Sequence, residues 1–282
     1  MPPPTAPPLT LPDGRALALH DWPLAPERRR ATVLLVHGLG EHAGRYDALA
    51  RRLNGWGLGV RGYDQQGHGA SGGARGSLHA EGGLYQDLAC VLDATRAGMA
   101  ANEPLVLLGH SLGGLVAADL MARGLRPVNA LVLSSPALAV HTSALQRLLL
   151  ATLPRLLPGL RVANGLDARG LSHDAQVVAA YRADPLCHDR ISARLARYVA
   201  TGGAPVLAAA PGWRVPTLLL WGEDDRIVDP GGSRAFAAAA PGHVVTARGF
   251  AGLLHEVFNE ADAEPVMAQL HAWLALHLGD CP

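Results

Sequence analysis

The sequence contains no lysine, and all 24 of its cationic residues are arginines. This absence excludes a Schiff-base lysine and the lysine of a phosphate-binding P-loop. The chain also lacks net charge at pH 7, because 24 acidic residues balance the arginines. No group of arginines is arranged to follow a phosphate backbone, so we do not expect a nucleic-acid partner.

Cysteine is scarce as well. Cys90, Cys187 and Cys281 lie far apart, in no metal-ligand or redox spacing. We therefore expect no disulfide and predict a cytoplasmic protein. The proline-rich start lacks the basic segment and apolar core of a signal peptide. No apolar run approaches the roughly 20 residues that a membrane-spanning helix needs.

The chain is long enough for one large domain, which we predict to span residues 1–282. A turn signal at residues 12–14 predicts an opening antiparallel hairpin. Short buried apolar runs then alternate with helical patterns. The runs cover residues 32–36, 58–63, 105–108, 130–133, 217–221 and 244–247. This alternation predicts an α/β fold with a mostly parallel central sheet and helices on both faces. Ligands bind beyond the carboxyl ends of such strands.

The alternation breaks within residues 136–211, a stretch rich in leucine and arginine that Pro154 and Pro158 interrupt. We predict that it forms a mainly helical cap inserted over the sheet. Residues 145–157 carry more leucine than one face of a helix needs. These leucines either pack within the cap or form an apolar entrance for an acyl chain that transiently contacts lipid interfaces.

The segment 109–114 reads Gly-His-Ser-Leu-Gly-Gly, after a predicted strand and before a predicted helix. This is the setting of a G-x-S-x-G nucleophile elbow, which presents Ser111 at the edge of the sheet. Glycines on both sides of the serine let strand and helix approach closely. A chance match is the alternative in a chain with 33 glycines, but the placement favours a nucleophile.

A nucleophilic serine needs a base and an orienting acid, which follow it in the order acid then histidine on this type of sheet. The loop after the predicted strand 217–221 contains four acidic residues. Asp225 is the predicted acid because it closes a turn ahead of an apolar pair, whereas Asp229 is better explained as a helix cap. His255 is the predicted base because it alone among the later histidines lies at the carboxyl edge.

Four segments together resemble the monoacylglycerol lipase and lysophospholipase branch of the α/β-hydrolases, in its bacterial form. They are residues 37–46, 64–72, 109–114 and 255–260. The sequence Asp184-Pro-Leu in the predicted cap is similar too. The resemblance spans nearly the whole chain and is weakest in the cap. It implies the α/β-hydrolase fold and the cleavage of single-chain lipid esters without a cofactor.

The resemblance also implies roles for individual residues. The backbone N–H groups of Leu39 and Leu112 are expected to form the oxyanion hole. Glu41 and Arg45 match positions that hold the polar head of a glyceride, although their spacing also suits an ordinary ion pair that shapes the loop. Phe258 is expected at a substrate-binding position where animal monoacylglycerol lipases have a histidine.

Several alternatives stay open at this point. The same chemistry serves a lysophospholipase, a general carboxylesterase or an acyltransferase, and a non-catalytic ligand receptor can be built on the same fold. A dehalogenase or epoxide hydrolase needs a carboxylate at position 111. An aminopeptidase needs a cap acid for the free amine, and the sequence identifies none. We expect no metal, since His37, His42, His68 and His110 show no ligand spacing. No obligate protein partner is evident.

Overall fold

The structure is a computed structural model that describes residues 5–141 and 144–278. The predictions made for residues 1–4, for positions 142 and 143 of the cap and for Cys281 lie outside the described residues. Ten strands occur in the described part. They are β1 (Thr5–Thr10), β2 (Ala16–Trp22), β3 (Ala31–Val36), β4 (Leu58–Tyr63), β5 (Leu105–His110), β6 (Ala130–Ser134), β7 (Arg161–Ala163), β8 (Arg190–Ser192), β9 (Thr217–Gly222) and β10 (Val245–Phe250).

Eight of these strands form the central sheet, in the order β1-β2-β4-β3-β5-β6-β9-β10. β1 and β2 form the predicted antiparallel hairpin, and β2 pairs antiparallel with β4. All other neighbours in the sheet run parallel. The predicted α/β fold class is therefore confirmed.

Nine helices flank or cover the sheet in the described residues. They are α1 (Asp47–Gly55), α2 (Gly83–Ala97), α3 (Leu112–Ala122), α4 (Ala144–Leu156), α5 (Ala175–Ala183), α6 (Ala193–Thr201), α7 (Gly203–Ala209), α8 (Pro230–Ala239) and α9 (Glu264–Leu278). The side chain of Asp229 accepts the N–H of Gly231 at 2.8 Å and caps α8, as its position predicted.

Two hydrophobic clusters explain the continuous apolar runs of the central strands. Leu34 and Leu107 point into a cluster formed with α2, α3 and α8. Val33 and Leu108 point the other way, into a cluster formed with α1 and α9, which we call the α1–α9 cluster. Because successive residues of a strand face opposite sides, burial on both faces requires an unbroken apolar run.

An insertion separates β6 from β9 and contributes no strand to the central sheet within its described residues. It consists of α4 to α7 and a two-stranded antiparallel ribbon of β7 and β8. The ribbon was not predicted, because each of its strands has only three residues, too few to show an alternating pattern. Within the described residues, no helix has both the length and the apolar character that crossing a bilayer requires.

Candidate active site

Ser111 lies in the turn between β5 and α3, with φ +53° and ψ −119°. This is a strained conformation for a residue with a side chain. The glycines around it are needed for space. A Cβ on Gly109 would lie 2.5 Å from the carbonyl oxygen of Gly113. A Cβ on Gly113 would lie 2.1 Å from the carbonyl oxygen of Val36. The glycines of this motif are therefore required for α3 to pack closely against the ends of β3 and β5.

Asp225 and His255 come together beside the carboxyl ends of β9 and β10. His255 Nδ1 lies 2.6 Å from Asp225 Oδ2, and both side chains are buried. The other carboxylate oxygen of Asp225 accepts the backbone N–H groups of Ile227 and Val228, at 2.8 and 3.1 Å. These bonds fix the carboxylate, and the carboxylate in turn fixes the orientation of the imidazole ring.

His110 links this pair to the nucleophile elbow. Its ring centroid lies 4.6 Å from that of His255, and its own chain neighbour is Ser111. The Nδ1 atom of His110 lies 3.1 Å from the hydroxyl oxygen of Ser134. Burial, together with the nearby charge of His255, lowers the pKa of His110 to about 4. A neutral His110 therefore places no second positive charge against His255 when that ring takes up a proton.

The loop after β3 passes directly over Ser111. A Cβ on Gly38 would lie only 3.2 Å from the Cβ of Ser111, so the next residue, Leu39, is held close to Ser111. Leu112 directly follows Ser111 and begins α3. Within residues 5–141 and 144–278, the N–H groups of Leu39 and Leu112 have no hydrogen-bond acceptor. Both donors are available to a bound oxygen.

A buried network of charges supports this loop. Glu41 Oε1 accepts the N–H of Gly38 at 2.6 Å and the hydroxyl of Tyr46 at 2.7 Å. The guanidinium of Arg45 donates to Glu41 and to both carboxylate oxygens of Glu256, the latter at 2.6 and 3.0 Å. Because Glu256 directly follows His255, Arg45 joins the loop of Leu39 to the loop of the predicted base.

The same network bears on the substrate-binding roles predicted for Glu41 and Arg45. Burial alone would raise the pKa of Glu41, but the charges of Arg45, His110 and His37 and the hydrogen bond from Tyr46 together outweigh it, and the pKa falls to about 2. Only 10% of the Arg45 side chain is exposed, and two carboxylates already engage it. The contacts favour the ion-pair interpretation, and glyceride binding stays a prediction. Sequence reasoning missed Glu256, which no local spacing connects with Arg45.

Phe258, the third predicted substrate-binding residue, is half-buried and packs against the α1–α9 cluster. Its contact with substrate also stays a prediction. The neighbouring Glu260 was missed by the sequence analysis. It accepts the N–H groups of Leu254 and of His173, at 2.7 and 2.8 Å. Since His173 belongs to the insertion, Glu260 ties the loop of His255 to the covering segment.

The insertion contacts both loops of the site. The carbonyl oxygen of Gly40 accepts the N–H of His188 at 2.9 Å and the hydroxyl of Tyr181 at 3.3 Å. On the other loop, Glu256 donates its N–H to the carbonyl of Leu171 at 2.8 Å. The covering segment therefore holds the loops that carry Leu39 and His255 at the same time.

An apolar cavity of about 310 Å³ lies inside the insertion, between α4, α6 and the β7–β8 ribbon. Its side chains are almost all aliphatic. They include Leu149, Leu150, Leu153, Val162, Ile191 and Val199. Other leucines of α4 and the following turn face outward, with Leu148 62% and Leu156 75% exposed. The leucine-rich stretch thus lines a cavity with one side and leaves an apolar surface on the other.

Comparisons with known proteins agree with this architecture. Residues 27–262 match the family described as serine aminopeptidase, S33. A monoacylglycerol lipase of Mycolicibacterium smegmatis is 37% identical, covering 88% of this chain and 89% of the relative. A phospholipase of Bacillus subtilis is 28% identical over 89% of this chain and 98% of its own length.

The crystal structure of the monoacylglycerol lipase of Paleococcus ferrophilus superimposes with a TM-score of 0.83 at 35% identity. The match covers 93% of this chain and 99% of that structure. The resemblance predicted from the four sequence segments is confirmed by these relatives, and so is the α/β-hydrolase fold.

Proposed function

Because this chain belongs to the family described as serine aminopeptidase, S33, we propose that it is a serine hydrolase that cleaves carboxylic esters, with monoacylglycerols as its substrates. The observation that carries this proposal is a strained Ser111 next to His110, whose ring contacts His255 of the buried His255–Asp225 pair. The two free backbone donors of Leu39 and Leu112 support it. The relatives named as monoacylglycerol lipases support the substrate class.

In the first half of the proposed cycle, His255 Nε2 removes the proton of Ser111 as the serine oxygen attacks the ester carbonyl. The carbonyl oxygen becomes an oxyanion that accepts hydrogen bonds from the N–H groups of Leu39 and Leu112. One donor of this kind contributes about 3 kcal/mol to transition-state stabilisation. Asp225 holds the tautomer of His255 and stabilises its protonated form.

In the second half, the alcohol leaves with the proton held by His255, and the acyl group stays on Ser111. Water, deprotonated by His255, then attacks the acyl-enzyme. The products are a fatty acid and free Ser111. The proposed cycle needs neither a metal nor a cofactor.

The proposed substrate has one acyl chain and a small polar head. Residues 136–211 act as the predicted cap, and the aliphatic cavity beside α4 accepts the acyl chain. The exposed Leu148 and Leu156 give this cap an apolar outer surface for transient contact with lipid interfaces.

A second candidate is hydrolysis of lysophospholipids, since the Bacillus subtilis relative is named as a phospholipase. A phosphodiester head calls for a free cation near the site. Arg45 is the arginine nearest the oxyanion loop in sequence, and its guanidinium is already engaged by Glu41 and Glu256. Arg45 is therefore not available to a phosphate, and the assay below separates the two substrate classes.

The test is hydrolysis of p-nitrophenyl esters of two to sixteen carbons, a 1-monoacylglycerol, a lysophosphatidylcholine and an aminoacyl p-nitroanilide. We expect the highest kcat/KM with the monoacylglycerol and complete loss of ester hydrolysis in a folded Ser111→Ala variant. Retained activity in that variant would refute the nucleophile. A preference for the lysophospholipid or for the amide would refute the substrate class.

A further inference from the structure

Three side chains able to ligate a metal meet where the insertion lies on the loop after β3. His42, Asp184 and Cys187 each offer one ligand atom, and these atoms lie within 4.8 Å of one another. His42 Nε2 lies 2.9 Å from Asp184 Oδ2, while its buried Nδ1 has no partner in the described part of the chain. Cys187 is a free, half-buried thiol. The proposed catalytic cycle uses none of these groups.

From this geometry we propose that His42, Asp184 and Cys187 form a binding site for Zn²⁺, with water as the fourth ligand. Nitrogen, sulfur and carboxylate oxygen are the three donor types that zinc accepts in tetrahedral sites. The side chain of Asp184 is 27% exposed, so an ion can enter from solvent. Mg²⁺ and Ca²⁺ require sets of oxygen ligands, which a thiol and an imidazole do not supply.

Zinc binding would change the spacing of the three ligand atoms. Tetrahedral bonds of about 2.0–2.3 Å place ligand atoms about 3.3–3.8 Å apart. His42 Nε2 and Asp184 Oδ2, now 2.9 Å apart, would have to separate, and any pair near the present limit of 4.8 Å would have to close by about 1 Å. Asp184 and Cys187 belong to the insertion and His42 to the loop after β3, so this rearrangement moves the insertion relative to the loop.

This movement reaches the proposed oxyanion hole. His42 follows Glu41, whose carboxylate holds the N–H of Gly38 beside Leu39. A displacement of about 1 Å in a positioning element can cost about 10²-fold in rate. We infer that Zn²⁺ is a reversible inhibitor that acts by shifting this loop. The inhibitory effect rests on the proposed function, whereas the zinc site itself does not.

Binding is tested first, on the full-length chain without an affinity tag. Equilibrium dialysis with Zn²⁺ should give one ion per chain. Co²⁺ in its place should give a thiolate-to-cobalt charge-transfer absorption in the near ultraviolet. Both signals should disappear in Cys187→Ser and persist in Cys90→Ser, the control at the other free cysteine in the described residues. Absence of bound zinc, or equal binding by Cys187→Ser, would overturn the site.

Ester hydrolysis is then measured with and without Zn²⁺, each variant relative to its own rate without the ion. We expect wild type and Cys90→Ser to lose activity by about tenfold to 10²-fold, with full recovery on adding a chelator. Cys187→Ser should lose much less. Equal inhibition of all three proteins would refute the coupling. If the protein hydrolyses no ester, the dialysis and Co²⁺ measurements still decide whether the zinc site exists.

Discussion

Replacing Arg45 by methionine tests whether the buried charge network supports the site. The substitution keeps most of the side-chain length and removes the guanidinium. It leaves Glu41 and Glu256 as two buried carboxylates, 4% and 5% exposed, without their shared cation. The N–H of Gly38 and the hydroxyl of Tyr46 still donate to Glu41. They do not compensate for the repulsion between the two acids.

Removing one partner from a buried ion pair costs about 3–5 kcal/mol, because the remaining charge stays buried and unpaired. This is a large share of the roughly 5–15 kcal/mol that stabilises a typical native protein. For a chain of this size we expect a drop in Tm of roughly 10 °C. The exposed Arg51–Asp47 pair supplies a matched control, also spaced four residues apart. Arg51→Met should cost much less stability than Arg45→Met, because exposed ion pairs contribute little.

The cost of Arg45→Met should depend on pH. In the wild type the pKa of Glu41 is about 2, below its ordinary value of 4.5. Its ionised form therefore stabilises the fold at every pH above 4.5, and this contribution is lost as the pH falls toward 2. Without Arg45, burial raises the pKa of Glu41 above 4.5. The variant then gains stability as the pH falls through this raised pKa. The difference in stability between wild type and variant is therefore larger at pH 8 than at pH 5.

Urea denaturation of wild type, Arg45→Met and Arg51→Met at pH 5 and pH 8 measures both effects. A cost below about 1 kcal/mol for Arg45→Met, equal at the two pH values, would refute the reasoning, because exposed pairs behave that way. Adding Glu256→Gln to Arg45→Met removes one of the two carboxylates and should recover part of the lost stability. A further loss in the double variant would contradict the proposed repulsion.

Three other predictions follow from the site. Asp225→Asn should lower kcat by about 10⁴-fold, because His255 is then held in the wrong tautomer. The control Asp224→Asn changes the exposed neighbouring residue and should keep a kcat near that of the wild type. Equal effects of the two substitutions on kcat would contradict the assignment of Asp225. The pKa of His110 is about 4 in the folded protein, against an ordinary value of 6.5. The unfolded chain therefore binds an extra proton as the pH falls, and the stability of the fold drops by up to about 3 kcal/mol from pH 7 to pH 4. If the urea midpoint of His110→Gln changes with pH as much as that of the wild type, this explanation is wrong. Leu153→Trp should shift the chain-length optimum of ester hydrolysis to shorter chains, because Leu153 lines the aliphatic cavity. Leu156→Trp is the control at a 75% exposed position and should leave the optimum unchanged. Identical chain-length profiles of the two variants would exclude the cavity as the acyl site.

The sequence by itself determined the sheet and the position of Ser111 in the turn after β5. Burial on both faces requires unbroken apolar runs, and these predicted the parallel strands that the structure contains. The turn that carries Ser111 is also determined by local sequence. Glycine is the only residue type that fits against the neighbouring backbone at the positions of Gly109 and Gly113. The fold class and the family resemblance could therefore be predicted and are confirmed. The catalytic roles of Ser111, Asp225 and His255 stay predictions that activity measurements must test.

Only the tertiary structure decided which distant residues share a site. Arg45 and Glu256 are 211 positions apart, and His42 and Asp184 are 142 apart. No spacing rule connects such pairs, since helix and strand periodicities extend over only a few residues. The sequence offered no metal-ligand spacing for the same reason. The insertion brings its own residues onto the loops that carry Leu39 and His255. This contact depends on how the insertion packs on the rest of the chain. The local pattern of apolar and polar residues does not specify that packing.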